Sequence, residues 1–514
     1  MKQASNRLIA LTVIASLAVA AAACAKSPDA KPGGSAAPTV SASASSEAKP
    51  TLRSLQIWQK DDYNTYPVAK VLEEKTGYKV QYDMLPQDNA EEKLNLLIAS
   101  GEPYDAITTA GGSYNKALYS DYATRGALVD LGPLIDKYGS NIKVAIPQET
   151  LDAAKINGKL YAIPTQTVGS AGASLMIRQD WLDKLGLKVP TTTDELVAVL
   201  QAFKEKDPGG NGDKNIPLTI YGDAPFIDSI AGAFGLANTW NDMDGKLVPR
   251  ALDPAYPDYV AFVNDLFKQG LLDQEFAVNK LANMYEKFSS GKAGVIPLAW
   301  YDVPTVTDAL KKNQPDAKWT YTPPLKGPSG KVGLPESAGF DRITFIPKAA
   351  KHPEDAVKWI NAKLEKDTFK LMAIGEEGKH YTFKDGTYTP ILPIFTDERN
   401  LANNFLMGVD AENYPNYWQA RVRKDSRLFE AWDYLNIKQP ADTRIADPLG
   451  VSPYLPEYSK NNSSLNMLTD EQTVKFIVGA ESLNKINAFM AKYKASGGDA
   501  SVKEVNDWYA TLKK

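Results

Sequence analysis

Leu52-Arg53-Ser54-Leu55-Gln56-Ile57-Trp58 opens a pattern that runs on to Tyr104-Asp105-Ala106-Ile107 and decides the fold class. In the first stretch the apolar residues recur as they do in a strand. Val68, Val71 and Leu72 then share one face of a predicted helix, which gives way at Gly77 to a second strand over residues 78–82. Asn89 and Glu92 have the spacing of a capping box, predicting a helix that carries Leu94, Leu97 and Ile98 on one side and stops at Gly101. Residues 104–107 read as a third strand. Strands alternating with helices predict right-handed βαβ units and a largely parallel sheet covered on both faces, so an α/β lobe is expected here.

A second lobe is expected to open near Ser174-Leu175-Met176-Ile177. Pro190 and the Thr192/Glu195 capping pair start a helix with Leu196, Val199, Leu200 and Phe203 at helical spacing. Residues 343–347 read as a strand, and Pro353 begins a helix with Val357, Ile360 and Leu364 on one face. Residues 470–514 are predicted as two amphipathic helices broken by Ser496-Gly497-Gly498, and no internal repeat is visible. A chain of 514 residues is longer than one core comfortably fills, so two packed lobes and a cleft between them are expected.

Composition narrows the function. Hydrophobic residues at 43% describe a globular protein, and a net charge of -4 offers no basic field for nucleic acid, which is excluded as a partner. One cysteine, Cys24, and two histidines, His352 and His380, leave no disulfide framework, thiol redox pair or Cys/His zinc site. Lys2 and Arg7 precede an apolar run over 8–23, the two regions of a secretory signal and too short for a comfortable membrane span. The run ends Ala21-Ala22-Ala23-Cys24, which resembles a bacterial lipobox although Ala21 stands where Leu is usual; the resemblance implies cleavage after residue 23 and a lipid on Cys24. Residues 24–50, rich in Ala, Ser, Pro, Lys and Gly, then read as a flexible tether from the outer face of the cell membrane.

Six pieces in order carry a family resemblance: residues 55–80, 93–106, 126–131, 157–164, 291–295 and 375–381. Together they resemble the family 1 extracellular solute-binding proteins, in the branch of large Gram-positive lipoproteins. The resemblance implies a type II two-lobe fold, with lobe one over about 51–168 and 340–395 and lobe two over about 169–339 with the C-terminal helices. It implies hinge crossings near 164–174, 338–344 and 381–393, where Gly169, Gly172 and Gly339 suit a hinge, and closure over a ligand followed by docking on an ABC importer permease. A monomer without cofactor is expected.

Ligands in open α/β sheets bind beyond the carboxyl ends of strands. That rule selects Trp58 after the first strand, Ser113 and Tyr114 after the strand at 106, and Trp300, Tyr301 and Asp302 after the strand at 295–298. Aromatic rings offer flat faces to a pyranose, and Asp61, Asp62, Asn64, Gln166 and Asp302 can supply hydrogen bonds, so an oligosaccharide is the expected ligand. Residues 207–215 resemble the calcium loop of some oligosaccharide-binding members, with Asp207, Asn211 and Asp213 as candidate ligands, but Gly209 has no side-chain ligand and Ile216 stands where an acid is expected. A secreted carbohydrate-active enzyme is the competing class; the sequence has no Gly-x-Ser-x-Gly elbow and no His-Glu-x-x-His motif. Binding of peptides or other polar solutes is a further alternative.

Overall fold

Two main sheets, each sandwiched between helices, organise the described residues of the computed structural model, which are 48–110 and 116–513. Their strands are β1 (Leu52–Gln56), β2 (Val80–Met84), β3 (Ala106–Ala110), β4 (Ala162–Gln166), β5 (Ala173–Arg178), β6 (Ile216–Leu218), β7 (Ala293–Ala299), β8 (Trp319–Tyr321) and β9 (Phe340–Phe345). The helices that matter below are α1 (Pro67–Thr76), α2 (Ala90–Ser100), α3 (Thr193–Lys206), α4 (Val303–Asn313), α5 (Pro353–Lys363), α6 (Tyr414–Val422), α7 (Ser426–Asn436) and α8 (Pro456–Ile477).

The first sheet has the order β2-β1-β3-β9-β4. β1 is parallel to β2 and β3, as the alternating pattern predicts, whereas β9 runs antiparallel between β3 and β4. Leu52, Ile107, Ile163 and Ile343 lie in one core with Leu72 of α1, Leu94 of α2 and Trp359 of α5. The second sheet, β8-β5-β7-β6, is mixed: β5 is antiparallel to β7 and β8, and β6 parallel to β7. Alternation along β5 covers both its faces. Leu175 and Ile177 pack with Leu200 and Phe203 of α3, while Met176 packs oppositely with Val306 and Leu310 of α4.

Local signals are met to different degrees. The Thr192 hydroxyl accepts from the Glu195 N–H (3.1 Å), so α3 is capped as predicted, but the Glu195 carboxylate reaches one residue further back, to Thr191 N and Oγ1 (both 2.7 Å). At Asn89 the predicted box does not form. Its φ of 55° puts the side chain out of reach of the helix end, and α2 relies on Glu91 and Glu92 in its first turn, where the helix dipole favours anions. Toward the C-terminus Asp470 lies inside the long α8 rather than at a helix start. Ser496 and Gly497 leave helical geometry and separate the last two helices, as the sequence predicts; Gly497 has φ 106°, and a Cβ there would sit 2.5 Å from Asn461 Cγ of α8.

Residues 167–172 carry the chain from β4 to β5, and residues 322–339 carry it back from β8 to β9. These two crossings lie side by side: Thr167 N–H donates to Gly339 O (2.9 Å) and Ser337 N–H to Ser170 O (3.2 Å). Gly339 is required by contact, because a Cβ there would stand 1.8 Å from Gly450 O. The crossing predicted over 381–393 is instead a hairpin, Tyr381–Lys384 with Thr387–Pro390. It stays on the first side because Tyr388 packs edge-on against Tyr417 of α6 (5.3 Å), which shares the first core with Tyr381. The chain changes sides later, between α6, whose Ala420 lies in the first core, and α7, whose Ala431 and Leu435 pack beneath the second sheet.

Candidate functional site

Strand direction places the candidate residues. Because β1, β3 and β4 run one way and β9 the other, the ends of β1, β3 and β4 and the start of β9 share one edge. Trp58 follows β1, Ala110 pairs with Arg342, and Gln166 pairs with Phe340 on that edge. Crossing 167–172 leaves it and enters the second sheet at Ala173, which pairs with Ala299 at the end of β7. Trp300, Tyr301 and Asp302 follow directly, and Tyr221 comes three residues after β6, which is parallel to β7. The two edges are therefore adjacent where the crossings join them, with a cleft between the lobes.

A chain of aromatic rings spans this region. Tyr301, 60% exposed, meets Trp300 edge to face (5.3 Å, 83°). Trp300 meets Trp418 of α6 (5.5 Å, 86°), and Trp418 meets Trp432 of α7 (5.5 Å, 63°). The backbone N–H of Trp300 donates to Gly172 O in the crossing (3.0 Å), which fixes the loop to the hinge region. Trp58 is 44% exposed on the opposite edge. Rings that remain partly uncovered at such an edge can stack on the C–H face of a sugar while their neighbours hydrogen-bond its hydroxyls.

The polar groups divide into those already committed and those still available. Asp302 accepts from the Tyr285 hydroxyl (2.7 Å); burial, and then this carboxylate, push the Tyr285 phenol up. Burial raises the Tyr221 phenol, with Asp228 adding to it, and burial pushes the Asp228 carboxyl up to about 6 against the opposing pull of Arg250. Asn64 is committed: its Nδ2 donates to Tyr82 O and Asp62 Oδ1 (both 2.9 Å), and its Oδ1 accepts from Tyr82 N–H (2.9 Å). Asn64 thus fastens the loop after β1 to β2, while the exposed Asp62 uses one carboxylate oxygen, Oδ1, within that loop. Asp61 is exposed on the same loop, and Gln166 accepts a long bond from Thr150 Oγ1 (3.4 Å). Ser113, Tyr114 and Cys24 lie outside the described residues.

Sequence reasoning passed over Tyr221 and Asp228 and left Trp418 unplaced. Tyr221 was within reach, since the rule that picked Trp300 after β7 also applies after β6. Trp418 had no such signal, because α6 carries Tyr414, Tyr417 and Trp418 together and spacing alone does not say which ring faces the cleft.

The loop at residues 207–215 does not fit calcium. Asp207 accepts through both carboxylate oxygens from the N–H groups of Asn211 (2.9 Å) and Gly212 (2.7 Å), and the Asn211 amide donates to Gly291 O (2.9 Å). A Cβ at Gly209 would be 2.4 Å from the Trp181 ring, so no ligand side chain fits there, and Asp213 is exposed. One orphaned oxygen, the buried Asn215 Oδ1, does not make up the roughly six to eight oxygens that calcium takes. Among the described residues no group of three or more His, Cys, Asp or Glu side chains is placed to hold a metal ion.

The sequence model of a family described as bacterial extracellular solute-binding protein matches residues 58–367. Lipoprotein LipO of Bacillus subtilis (strain 168) is 28% identical over 466 residues, covering 87% of this chain and 89% of LipO. The polygalacturonan/rhamnogalacturonan-binding protein YtcQ of the same strain is 26% identical over 496 residues, covering 92% and 95%. Among solved structures, the Streptococcus pneumoniae ABC-transporter substrate-binding protein FusA in complex with kestose superposes with a TM-score of 0.69 at 22% identity, over 90% of this chain and 99% of that one, a likeness of fold.

Proposed function

Since this chain belongs to the bacterial extracellular solute-binding protein family, we propose that it captures an oligosaccharide between its lobes and hands it to the permease of an ABC importer. The observation that carries the ligand class is the ring chain Tyr301–Trp300–Trp418–Trp432, which begins exposed at the second sheet's edge and ends on the helices flanking the third crossing. YtcQ, whose name states a polysaccharide ligand, supports the same class. Trp58, Gln166, Trp300, Tyr301, Asp302, Trp418, Tyr221 and Asp228 form the binding surface in this reading, with Asp61 at its rim.

Residues 167–172, 322–339 and 423–425 are the hinge, so lobe one comprises residues 51–166 and 340–422 and lobe two the remainder of the folded chain. Ligand binds the open form, contacts both lobes only on closure, and draws the population to the closed state by its greater affinity for it. The activity is binding without turnover. The segment before Cys24 is a signal, Cys24 carries the lipid, and the monomeric protein works at the outer face of the membrane; among the described residues no helix is long and apolar enough to cross it.

A thermal-shift screen of the full chain against mono- and oligosaccharides, with product assayed in parallel, tests this. A dose-dependent rise in Tm without product supports the reading, because a ligand that binds the folded state stabilises it. Turnover of a glycan would replace it with an enzyme, and a flat response to sugars alongside a shift with peptides would replace the ligand class.

A further inference from the structure

We propose that a groove on the second lobe, outside the ring chain of the cleft, is a separate binding site for an acidic sugar chain, recognised through its uronate carboxylates. The groove, of about 700 Å³, runs between the outer edge of β8 and helices α4 and α7. That volume lies in the range of small-ligand sites. A second cavity of about 560 Å³ shares Lys311, Ala317 and Lys318 with it, but Asp180, Asp183 and Asp316 also line that cavity, so the acidic ligand is held where the two cavities meet at the lysines.

β8 is an edge strand. Gln179 N–H donates to Lys318 O (2.9 Å) and Thr322 N–H to Leu175 O (2.8 Å). Bonded positions alternate along an antiparallel pair, so the backbone groups of Trp319 and Tyr321 face away from β5. The half-buried Trp319 ring and the stacked rings of Tyr321 and Tyr434 (6.3 Å, 23°) line the groove.

Charge singles out the ligand. Lys311 holds its ammonium 5.3 Å from the Trp319 ring centroid, and Lys318 precedes Trp319 as an exposed side chain. Neither lysine makes a salt bridge among the described residues, whereas Arg427 is held by Asp425 and Asp308, and Lys438 by Asp433. Two ammonium groups without carboxylate partners beside an aromatic face match a hexuronate residue: its C–H face rests on the indole and its carboxylate meets the lysines in charge-assisted hydrogen bonds. A neutral sugar would leave the lysines unused, and a simple anion would leave the ring unused.

At Val303 the groove comes within one residue of Asp302, but its aromatic and basic end lies farther along β8. Trp319 pairs with Arg178, five residues along β5 from Ala173, a distance of roughly 17 Å at the usual rise per residue. The cleft aromatics begin beyond Ala299, which is the partner of Ala173. The proposal therefore stands whatever ligand the cleft takes.

The test is titration of the full chain with a galacturonic acid tetramer, with maltotetraose and inorganic phosphate as separate arms. Expected are binding of the acidic tetramer by the wild type and by Tyr301→Ala alike, a loss of at least about tenfold in Lys311→Gln/Lys318→Gln, and retention in Lys311→Arg/Lys318→Arg. Trp319→Ala is expected to weaken the tetramer while leaving phosphate binding unchanged. The proposal is overturned if the wild type does not bind the tetramer, if maltotetraose binds as well, if phosphate displaces the tetramer at equal concentration, or if the Gln pair binds like wild type. Loss in Tyr301→Ala would also overturn it, since the tetramer would then occupy the cleft.

Discussion

Replacing Trp418 with Ala removes the ring through which the two lobes touch at the cleft. Trp418 lies on α6 of the first lobe and meets Trp300 and Trp432, both packed on the second, at 5.5 Å each. An edge-to-face pair contributes about 0.5–1.5 kcal/mol beyond its buried area, so two such contacts amount to about 1–3 kcal/mol. Trp418 is only half-buried, and its loss opens no large internal cavity. Part of the cost falls on the first core, against which Trp418 packs, and part on the ring contacts between the lobes. With a tenfold change for every 1.4 kcal/mol, Kd for the cleft sugar should rise about 5- to 140-fold, while Tm of the unliganded protein moves by a few degrees at most. Calorimetric titration of wild type, Trp418→Phe and Trp418→Ala measures this, with Phe expected between the other two. A Kd within about twofold of wild type in the Ala variant refutes the reasoning, because the ring chain would then not help to hold the lobes closed.

Two further predictions concern buried charge. Lys287 Nζ lies 2.8 Å from the buried Asp273 carboxylate and 3.1 Å from Asn279 Oδ1, so Lys287→Met should destabilise by about 3–5 kcal/mol in urea unfolding by leaving a buried charge without its cation; adding Asp273→Leu should recover most of that, and a loss below about 1 kcal/mol in the single variant would mean that the ion pair is not needed. His380 is fully buried, its Nδ1 accepting from Glu376 N–H and its Nε2–H donating to Glu398 (both 2.9 Å), and burial holds its pKa below the usual 6.5. The folded protein then stays neutral at His380 while the unfolded chain takes up a proton, so stability is complete above pH 6.5, declines as pH falls below it, and stops declining from this source at the lower folded pKa. Urea midpoints between pH 7.5 and 5 should fall more steeply in wild type than in His380→Gln; equal slopes would remove His380 as a cause.

Much of the architecture is legible because it rests on local rules. The spacing of Val68 and Leu72, the Thr192 cap, and the position of Trp300 directly after an apolar strand each depend on residues a few places apart. The misses depend on partners far along the chain. Asn64 looks like a free hydrogen-bonding group until Tyr82, 18 residues away, occupies both ends of its amide. The antiparallel course of β9 follows from a chain that leaves the first lobe at residue 167 and returns about 170 residues later, a separation to which no local period extends.

The third crossing is tied to the first, and that tie bears on how the lobes can move. Asn436, the last residue of α7, accepts from Ala171 N–H (2.7 Å) through Oδ1 and donates to Ala171 O (3.3 Å) through Nδ2. Both polar groups of one crossing residue are thus satisfied by a side chain from the helix that follows another crossing. Ala171 also bridges to Glu336 in the second crossing, and Arg444 donates to Asn436 O (2.5 Å). The three strands of chain therefore meet in one buried hydrogen-bonded knot on the second-lobe side, where breaking any bond would leave an unsatisfied buried group. Those bonds favour bending in the residues between the knot and β4, β9 and α6 over bending within it. Gly169, in the first of those short spans, has no neighbour nearer than 3.4 Å to a would-be Cβ, unlike the crowded Gly339. Of the three glycines that suit a hinge by sequence, Gly339 is thus a packing glycine, Gly172 lies next to the knot, and Gly169 is the one placed to bend.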